Sequence, residues 1–325
     1  MRAVHLTAFG NPVDGLEFVD IPEPDAPGAN QILTEAEFSP INPNDLSLAQ
    51  GIYAIRPVLP TVIGNEGVGH VVAVGPGVKN VAVGDRVLVP LSSFAWRERL
   101  VTSADGLFAL PPGADPQQLA MLGINPPTAS LLLSEFVDLK PGDWVVQNAA
   151  NSGVGRWVIA FAKARGLRTV NIVRRAELVD PLKAIGGDVV VVDSSDVAGR
   201  IREAAGKGDL RLALDGVSGP ATGVLASILS PGGTIVSFAA MSKAPISVSP
   251  LDVILKPISL RGFWMGHPEY AAKIPPVLKH AAAMIASSQV HIPVSAVYPL
   301  SAIKTAVSHV LRGGKVLLDV AGSSA

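Results

Sequence analysis

The sequence predicts an α/β protein in which a doubly wound parallel sheet follows a mostly β segment of roughly 120 residues. Three observations predict it. Between residues 144 and 263, six short apolar runs recur with helical patterns between most of them, as the strands and crossover helices of such a sheet do. Small residues follow the first run, where a dinucleotide-binding turn would lie. The preceding segment is rich in Pro and Gly and is broken by turn sequences such as VGPGV and VAVGD.

The individual elements follow from their apolar patterns. In the first segment, β-like runs occur at residues 31–34, 69–74 and 86–89. Amphipathic patterns predict helices over about 153–165 and about 268–287. The last residues hold one helix and two strand-like runs, too little for a separate domain, so we expect them to pack on the first segment. The predicted domains are 1–123 with 267–325, and 124–266. The six runs of the sheet are 144–147, 169–173, 188–192, 210–214, 233–238 and 258–263.

Composition narrows the class of function. The 325 residues are 48% hydrophobic and 16% charged with a net charge of −1, so we expect a large core and no nucleic-acid partner, which would require a positive face. The absence of cysteine excludes disulfides, thiolate catalysis and cysteine-ligated zinc. The N-terminus lacks the apolar core of a signal peptide, and no run approaches the roughly 18 apolar residues of a membrane span. We therefore expect a cytoplasmic protein with no membrane partner.

The turn at residues 148–155, NAANSGVG, is the candidate cofactor site. At the glycine positions of a G-x-G-x-x-G fingerprint this chain has Ala150, Ser152 and Gly155, so only the third glycine is present. Ser152 is small enough for a pyrophosphate to approach the backbone, and Gly155 allows close packing of helix on sheet. The helix N-terminus offers unpaired N–H groups to phosphate. The alternative is a plain turn in an α/β protein that binds no nucleotide.

The end of the second strand indicates which dinucleotide the turn would bind. NAD sites have a carboxylate there, about 20 residues after the glycines, which binds the ribose 2′-OH. This chain has Arg174 and Arg175 instead, and a guanidinium can bind a 2′-phosphate through two hydrogen bonds. The sequence therefore predicts NADPH, with two solvated surface arginines as the alternative.

Seven stretches, in order along the chain, carry a resemblance to a known family. Together they resemble the 2-enoyl thioester reductases of mitochondrial fatty-acid synthesis and their bacterial relatives, a zinc-free branch of the medium-chain dehydrogenase/reductase superfamily. The resemblance covers essentially the whole chain. It implies a GroES-like, mostly β catalytic domain and a Rossmann sheet of strand order 3-2-1-4-5-6. The stretches are INPNDLSLAQGIY (41–53), GNEGVGHVVAVG (64–75), GINPPTAS (123–130), QNAANSGVG (147–155), VNIVRR (170–175), MSKAP (241–245) and LKPISLRGFWM (255–265).

The resemblance also implies roles for single residues. Tyr53 matches the family's proton donor, which protonates the α-carbon after hydride reaches the β-carbon; the alternative is a tyrosine that packs in a loop. Trp96 matches an element near the substrate, and a core tryptophan is the alternative. The positions that match NADPH contacts are Asn125, Asn151, Ser152, Gly153, Val154, Arg174, Arg175, Ala176, Phe238, Ala239, Ala240, Met241, Phe263, Trp264, Met265 and Lys315.

The sequence departs from its zinc-dependent relatives and, in part, from the enoyl reductases. Zinc-dependent members bind the metal through Cys, His and Cys, with the His in a G-H-E motif; here the motif reads Gly64-Asn65-Glu66, so no metal is expected. His70 lies nearby, but the histidines show no ligand spacing. The family usually has RDR where this chain has RRA, and often YGGM where this chain has FAAM (238–241), which leaves substrate preference open.

Three functions follow from these observations. The first is NADPH-dependent reduction of a 2-enoyl thioester carried by CoA or by acyl-carrier protein, favoured by MSKAP and GFWM. The second is reduction of a quinone or another small activated alkene, favoured by the absence of an obvious basic patch for an acidic carrier protein. The third is non-catalytic NADPH binding, against which the presence of Tyr53 speaks. A homodimer is expected to form through the strand near 258–263.

Overall fold

The computed structural model describes residues 1–206 and 208–322. The chain forms two compact units, residues Met1–Ile124 with Leu278–Ala325, and residues Asn125–Val277. Within the described ranges, no helix combines the length and apolar character that a membrane crossing requires.

The first unit begins with short strands joined by turns. A three-stranded sheet has the order β2-β1-β4, and a larger antiparallel arrangement is centred on β3, which pairs with β5 and with β7. Alternate residues of β3 are buried, as expected where one face of a sheet covers a core. The elements are β1 (Arg2–Leu6), β2 (Leu16–Asp20), β3 (Gln31–Pro40), α1 (Pro43–Ala49), β4 (Thr61–Val62), β5 (Gly67–Val74), β6 (Arg86–Val89), β7 (Arg99–Ser103) and α2 (Pro116–Leu119).

The second unit is the doubly wound parallel sheet. Its strands have the order β10-β9-β8-β11-β12-β13, which is 3-2-1-4-5-6 when counted within the unit, so the expected order is confirmed. The central strands are buried because helices cover both faces: every residue of β8 is buried, and every residue of β11 except Arg211. The elements are α3 (Asn125–Ser134), β8 (Trp144–Gln147), α4 (Gly153–Ala164), β9 (Arg168–Val173), α5 (Val179–Ala184), β10 (Val189–Val192), α6 (Val197–Ala205), β11 (Leu210–Asp215), α7 (Pro220–Ile228), β12 (Thr234–Ser237), α8 (Pro250–Leu255) and β13 (Ser259–Gly262).

The chain returns to the first unit at Leu278, inside helix α9 (Ile274–Ala286). It continues through β14 (Ala296–Pro299), α10 (Ile303–Arg312) and β15 (Val316–Asp319). β15 pairs with β3 in antiparallel register, so the last segment adds a strand to the sheet that contains β3.

The helix expected over 268–287 differs at its start. Residues Pro268–Lys273 form a 3₁₀ helix, and the α-helix begins only at Ile274. Pro275 and Pro276 explain the break, because proline has no N–H to donate and fits an α-helix only in its first turn.

Candidate active site

The turn between β8 and α4 has the geometry of a phosphate-binding turn. Ser152 is the N-cap of α4, and its Oγ accepts a hydrogen bond from the N–H of Gly155 at 3.1 Å. A β-carbon on Gly155 would lie 2.4 Å from the carbonyl oxygen of Ala150, so only glycine allows the helix to start this close to the strand. The first N–H groups of an α-helix have no partner within the helix, and they carry the positive end of its dipole. An anion is therefore favoured at this turn.

Asn125, the first residue of α3, places an unsatisfied amide beside this turn. Asn125 is only 6% exposed, and within the part of the chain that the structure describes its Nδ2 has no hydrogen-bond acceptor. Gly153 lies against it, since a β-carbon there would come within 2.7 Å of the Nδ2 atom. A buried donor without an acceptor costs about 1–3 kcal/mol. An oxygen of a bound dinucleotide would remove this cost, so the residues present fit such a cofactor.

Buried polar side chains of β8 and β9 form hydrogen bonds to the first turn of α4 and to each other. Gln147, the last residue of β8, donates from Nε2 to the carbonyl oxygen of Gly155 at 2.9 Å and to Oδ1 of Asn171 at 2.7 Å. Asn171, in β9, donates in turn to Oγ1 of Thr169 at 2.9 Å. These buried residues hold the first turn of α4 on the sheet. Sequence analysis missed them, although a Gln and an Asn within two apolar runs are the signal that would have found them.

A second polar pair joins the turns that follow β8 and β11. Asn148 donates from Nδ2 to Oδ1 of the fully buried Asp215 at 2.7 Å and accepts from the N–H of Gly216 at 2.8 Å. Asp215 also accepts from the hydroxyl of Thr222 at 2.5 Å. Both turns lie at the carboxyl ends of parallel strands, the edge where ligands bind in doubly wound sheets.

Arg174, Arg175 and Ala176 follow the last residue of β9 and are exposed. Arg175 forms an ion pair with Glu177 at 3.2 Å. The arginines thus lie at the carboxyl edge of the sheet, with side chains accessible to a ligand, but the pairing with Glu177 is also what a solvated surface arginine would show. Their role at a 2′-phosphate stays a prediction.

The remaining candidate positions of the second unit lie at the same edge. The segment 238–241 follows β12, and its backbone N–H groups bind the carbonyls of Asp215 and Gly216. Residues 263–265 follow β13. A cavity of about 400 Å³ opens beside them, lined by the rings of Phe263, Trp264 and Tyr270. The Phe263 and Tyr270 ring centroids are 5.1 Å apart, so one wall of this cavity is aromatic, whereas Ser237, His267 and Glu269 add polar groups to its lining.

Tyr53 and Trp96 belong to the first unit and have different surroundings. Tyr53 follows α1 and is partly buried against the core of that unit, while its neighbours Ile52 and Ala54 are exposed. Trp96 has 0% exposure and packs on Gly64, where a β-carbon would lie 2.3 Å from the indole ring. Trp96 therefore packs within the core of the unit, and its Nε1 has no hydrogen-bond partner among the described residues; a place beside the substrate stays a prediction.

The G-N-E motif contributes to a buried polar group, which we call the Asn42 cluster: Asn42, Asp45, Asn65, Glu66 and Lys315. Asn42, the N-cap of α1, donates from Nδ2 to Oε1 of Glu66 at 2.7 Å and accepts from the Lys315 ammonium at 2.5 Å. Asp45 closes the capping box by accepting from the N–H of Asn42 at 2.8 Å. It also accepts from the backbone and side-chain amides of Asn65 at 2.9 and 2.8 Å. Lys315, a predicted cofactor contact, thus has its ammonium bound to Asn42.

Burial dominates the electrostatics of this cluster. It raises the pKa of Asp45 to about 6 and that of Glu66 to about 7, although hydrogen bonds and the positive charge of Lys315 oppose both shifts. Burial lowers the pKa of Lys315, and the two carboxylates partly offset this.

The Asn42 cluster does not fit zinc. Asn65, which stands where zinc-dependent relatives have histidine, uses its side-chain nitrogen as a donor to Asp45. No group of three or more His, Asp or Glu in the described ranges could hold a metal ion, and the sequence has no cysteine. We therefore assign no chemical step to a metal.

The fold and the dinucleotide turn together define a medium-chain dehydrogenase/reductase. The family model of zinc-binding dehydrogenases matches residues 153–283, and that of the alcohol dehydrogenase GroES-like domain matches residues 28–108. The mitochondrial enoyl-[acyl-carrier-protein] reductase of Caenorhabditis elegans is 40% identical over 269 residues, which are 81% of this chain and 77% of that protein. The human enzyme of the same name is 38% identical over 276 residues, 82% of this chain and 72% of that protein. The chain belongs to this family of enoyl reductases.

Solved structures support the same fold. A quinone oxidoreductase from Pseudomonas syringae is 28% identical, with a TM-score of 0.84 over 98% of this chain and 99% of that one. The mitochondrial 2-enoyl thioester reductase Etr1p/Etr2p heterodimer from Candida tropicalis, 24% identical, has a TM-score of 0.88 over 98% of this chain and 99% of that one. The expected class, an oxidoreductase, is thus confirmed.

The expected cytoplasmic location is wrong by these comparisons, because the enoyl reductases that resemble the chain over most of its length are named as mitochondrial enzymes. Composition and the absence of cysteine are compatible with either compartment, so those observations could not separate the two.

Proposed function

We propose that the protein uses NADPH to reduce the activated C=C bond of a 2-enoyl thioester. One observation carries the proposal: the similarity to mitochondrial enoyl-[acyl-carrier-protein] reductases extends over 81% of the chain and includes the dinucleotide turn. The unsatisfied amide of Asn125 beside that turn is consistent with a bound dinucleotide. Etr1p, which shares the fold of this chain at 24% identity, was solved as a complex with NADP and crotonyl-CoA, so the fold accommodates both ligands.

The cofactor would be held at the carboxyl edge of the parallel sheet. Residues 151–154 would bind its pyrophosphate through the N-terminus of α4. Asn125 would donate to one of its oxygens, and Arg174 with Arg175 would bind the 2′-phosphate. Residues 238–241 and 263–265 would line the nicotinamide end. When bound, NADPH supplies the hydride that the β-carbon of the substrate receives.

Tyr53 is the proposed proton donor. As hydride reaches the β-carbon, negative charge collects on the thioester oxygen, and the α-carbon must then gain a proton. A phenol keeps its proton at neutral pH and can give it to a far more basic enolate. The aromatic cavity beside Phe263 and Trp264 offers an apolar surface to the acyl chain.

The test is NADPH oxidation followed by its absorbance, first with crotonyl-CoA and then with a simple quinone. Turnover of crotonyl-CoA supports the proposal. Reduction of the quinone alone would replace it with the second candidate, an NADPH quinone reductase, which the 28% identical quinone oxidoreductase structure favours. NADPH binding without either reaction would point to the non-catalytic alternative. Crotonyl groups carried by CoA and by acyl-carrier protein, compared in the same assay, distinguish the two carriers.

A homodimer through β13 is part of the proposal. β13 is an edge strand of the parallel sheet, and all four of its residues are exposed. Leu260 in this strand is 49% exposed, and α8 beside it exposes Leu251, Ile254 and Leu255. An open sheet edge flanked by apolar side chains is what an isologous two-fold interface covers. Sedimentation of Leu260→Lys should show monomers, whereas Val83→Lys, at a 61% exposed position of the first unit, should sediment as the wild type.

A further inference from the structure

The side chain of Glu66 connects the Asn42 cluster to the chain segment that enters the second unit. Its Oε1 accepts from Nδ2 of Asn42 at 2.7 Å, and its Oε2 accepts from the backbone N–H of Ile124 at 2.9 Å. The backbone at Gly123 lies directly against the carboxylate, since a β-carbon there would be 3.0 Å from Oε2 and 3.3 Å from the β-carbon of Glu66. The segment is therefore held in two ways. The N–H of Ile124 donates to the carboxylate, and the backbone of Gly123 packs against it.

The next residue in the chain is Asn125, which begins α3 and carries the unsatisfied amide beside Gly153. The position of that amide depends on the direction in which the backbone leaves Ile124. Glu66 is 1% exposed and holds the backbone immediately before this point. A displacement of the segment by a few tenths of an ångström would be passed on to the Asn125 side chain.

We propose that Glu66 is a positioning residue for the cofactor, which acts by fixing the segment Gly123–Ile124 and thereby the Asn125 amide. The inference rests on the proposed function, because it takes the turn at 151–154 to be the NADPH site. Glu66 itself does not contact the cofactor in this scheme.

The chemistry of the carboxylate explains why this position requires Glu. Both of its oxygens accept from N–H donors, one from a side chain and one from the backbone. Glutamine has a single acceptor oxygen, so its amide nitrogen would face one of these two donors and leave a buried hydrogen bond unmade. The cost of a buried negative charge is offset in part through Asn42, whose other side-chain atom accepts from the Lys315 ammonium.

The test is a double-mutant cycle in the full-length protein, with the dissociation constant for NADPH measured by fluorescence titration. Glu66→Gln alone should weaken NADPH binding about tenfold, a change of about 1.4 kcal/mol. In an Asn125→Ala background the same substitution should have almost no further effect, because the amide that it positions is already gone. A purely structural role would weaken binding equally in both backgrounds, and that result would overturn the inference.

Asp45 supplies a matched control. It is also a buried carboxylate of the Asn42 cluster, but its hydrogen bonds go to Asn42 and Asn65, and within the described ranges none reaches Gly123 or Ile124. Asp45→Asn should lower the melting temperature while leaving the NADPH dissociation constant within twofold. An equal loss of affinity in Asp45→Asn would contradict a specific role for Glu66.

A second variant covers the case in which Glu66→Gln does not fold. Gly123→Ala perturbs the same contact without changing a charge, since its methyl group would be 3.0 Å from the carboxylate oxygen. It should weaken NADPH binding, and this effect too should vanish in the Asn125→Ala background. If Asn125→Ala and the double variant Arg174→Ala/Arg175→Ala both bind NADPH as the wild type does, the cofactor site itself is misplaced and the inference fails with it. If those variants lose affinity while Glu66→Gln and Gly123→Ala do not, only the inference fails.

Discussion

Gly155→Ala adds a single methyl group at the start of α4, and we expect it to weaken NADPH binding while the protein still folds. In Gly155→Ala the added carbon would lie 2.4 Å from the carbonyl oxygen of Ala150 and 2.7 Å from two further backbone atoms of that residue. None of these atoms can rotate away. To reach an ordinary contact of about 3.4 Å, the start of α4 must move by about 1 Å.

The expected magnitudes follow from this movement. Overpacking against backbone costs about 1–3 kcal/mol, and the better helix propensity of alanine returns up to about 1 kcal/mol. The net loss of stability should therefore lie between about 0 and 3 kcal/mol. The same movement would take the N–H groups of Gly153 and Val154 away from the phosphate that the proposed function places there. Loss of one charge-assisted hydrogen bond, at about 1.5–3 kcal/mol, weakens NADPH binding roughly 10- to 150-fold.

The assay is a fluorescence titration with NADPH beside a thermal melt, with Gly199→Ala as the matched control. Gly199 also lies inside a helix, α6, but a β-carbon there would have nothing within 4 Å. Gly199→Ala should stabilise the protein by up to about 1 kcal/mol and leave NADPH affinity unchanged. Wild-type affinity in Gly155→Ala would refute the close approach of α4 to the strand, and with it the placement of the phosphate.

Three further predictions concern charge and proton transfer. Tyr53→Phe should lower turnover of crotonyl-CoA by orders of magnitude with almost no change in NADPH affinity, because only proton delivery is lost. Arg174→Ala with Arg175→Ala should weaken the binding of NADPH at least tenfold more than that of NADH, since charge-assisted bonds to the 2′-phosphate are worth about 1.5–3 kcal/mol each. The control Arg202→Ala, at an exposed site on α6, should change the binding of neither cofactor. Glu66→Gln should flatten the pH dependence of the free energy of unfolding. In the folded protein the pKa of Glu66 is about 7, above its ordinary value of 4.5, so between these values the folded state binds more protons than the unfolded state. The free energy of unfolding of the wild type should therefore fall by about 3 kcal/mol in total as the pH rises between these values.

Each of these has a result that would contradict it. Tyr298→Phe removes the other phenol that packs on the same core and should keep full turnover; equal losses in the two variants would mean damage to the core rather than to proton transfer. Equal weakening of NADPH and NADH binding would mean that the two arginines stabilise the fold and do not recognise the 2′-phosphate. Unfolding measured from pH 5 to pH 8 should show a steeper decline for the wild type than for Glu66→Gln, and parallel curves would disprove the raised pKa.

Local patterns along the chain were enough to predict the parallel sheet and its cofactor turn. The apolar runs at 144–147 and 169–173 became β8 and β9 within a residue, because a strand buried on both faces must be apolar throughout. The start of the helix at Gly153 followed from the small residues before it. The exception is the helix near 268–287, where Pro275 and Pro276 fit only the first turn of an α-helix, so the six residues before Ile274 are 3₁₀.

The compartment, and the burial and contacts of single side chains, were harder to predict from the sequence. Trp96 occurs in a motif that suits either a cleft or a core, and only the packing on Gly64 places it in the core. The cofactor contact of Lys315 stays a prediction, and the structure adds that its ammonium binds Asn42, which lies 273 positions away in the chain. No spacing in the sequence relates two residues so far apart.

The sequence by itself determined the order of strands and helices, the turn that suits a dinucleotide and the absence of the residues that bind zinc, because each of these is written in neighbouring residues. Only the tertiary structure decided that Glu66 meets the backbone of Ile124 and that Lys315 meets Asn42. It also placed the Asn125 amide in a buried position beside Gly153, where no acceptor among residues 1–206 and 208–322 reaches it. The physical reason is that burial and long-range contact, which set both the raised pKa of Glu66 and the unsatisfied donor of Asn125, arise only after distant segments have packed together.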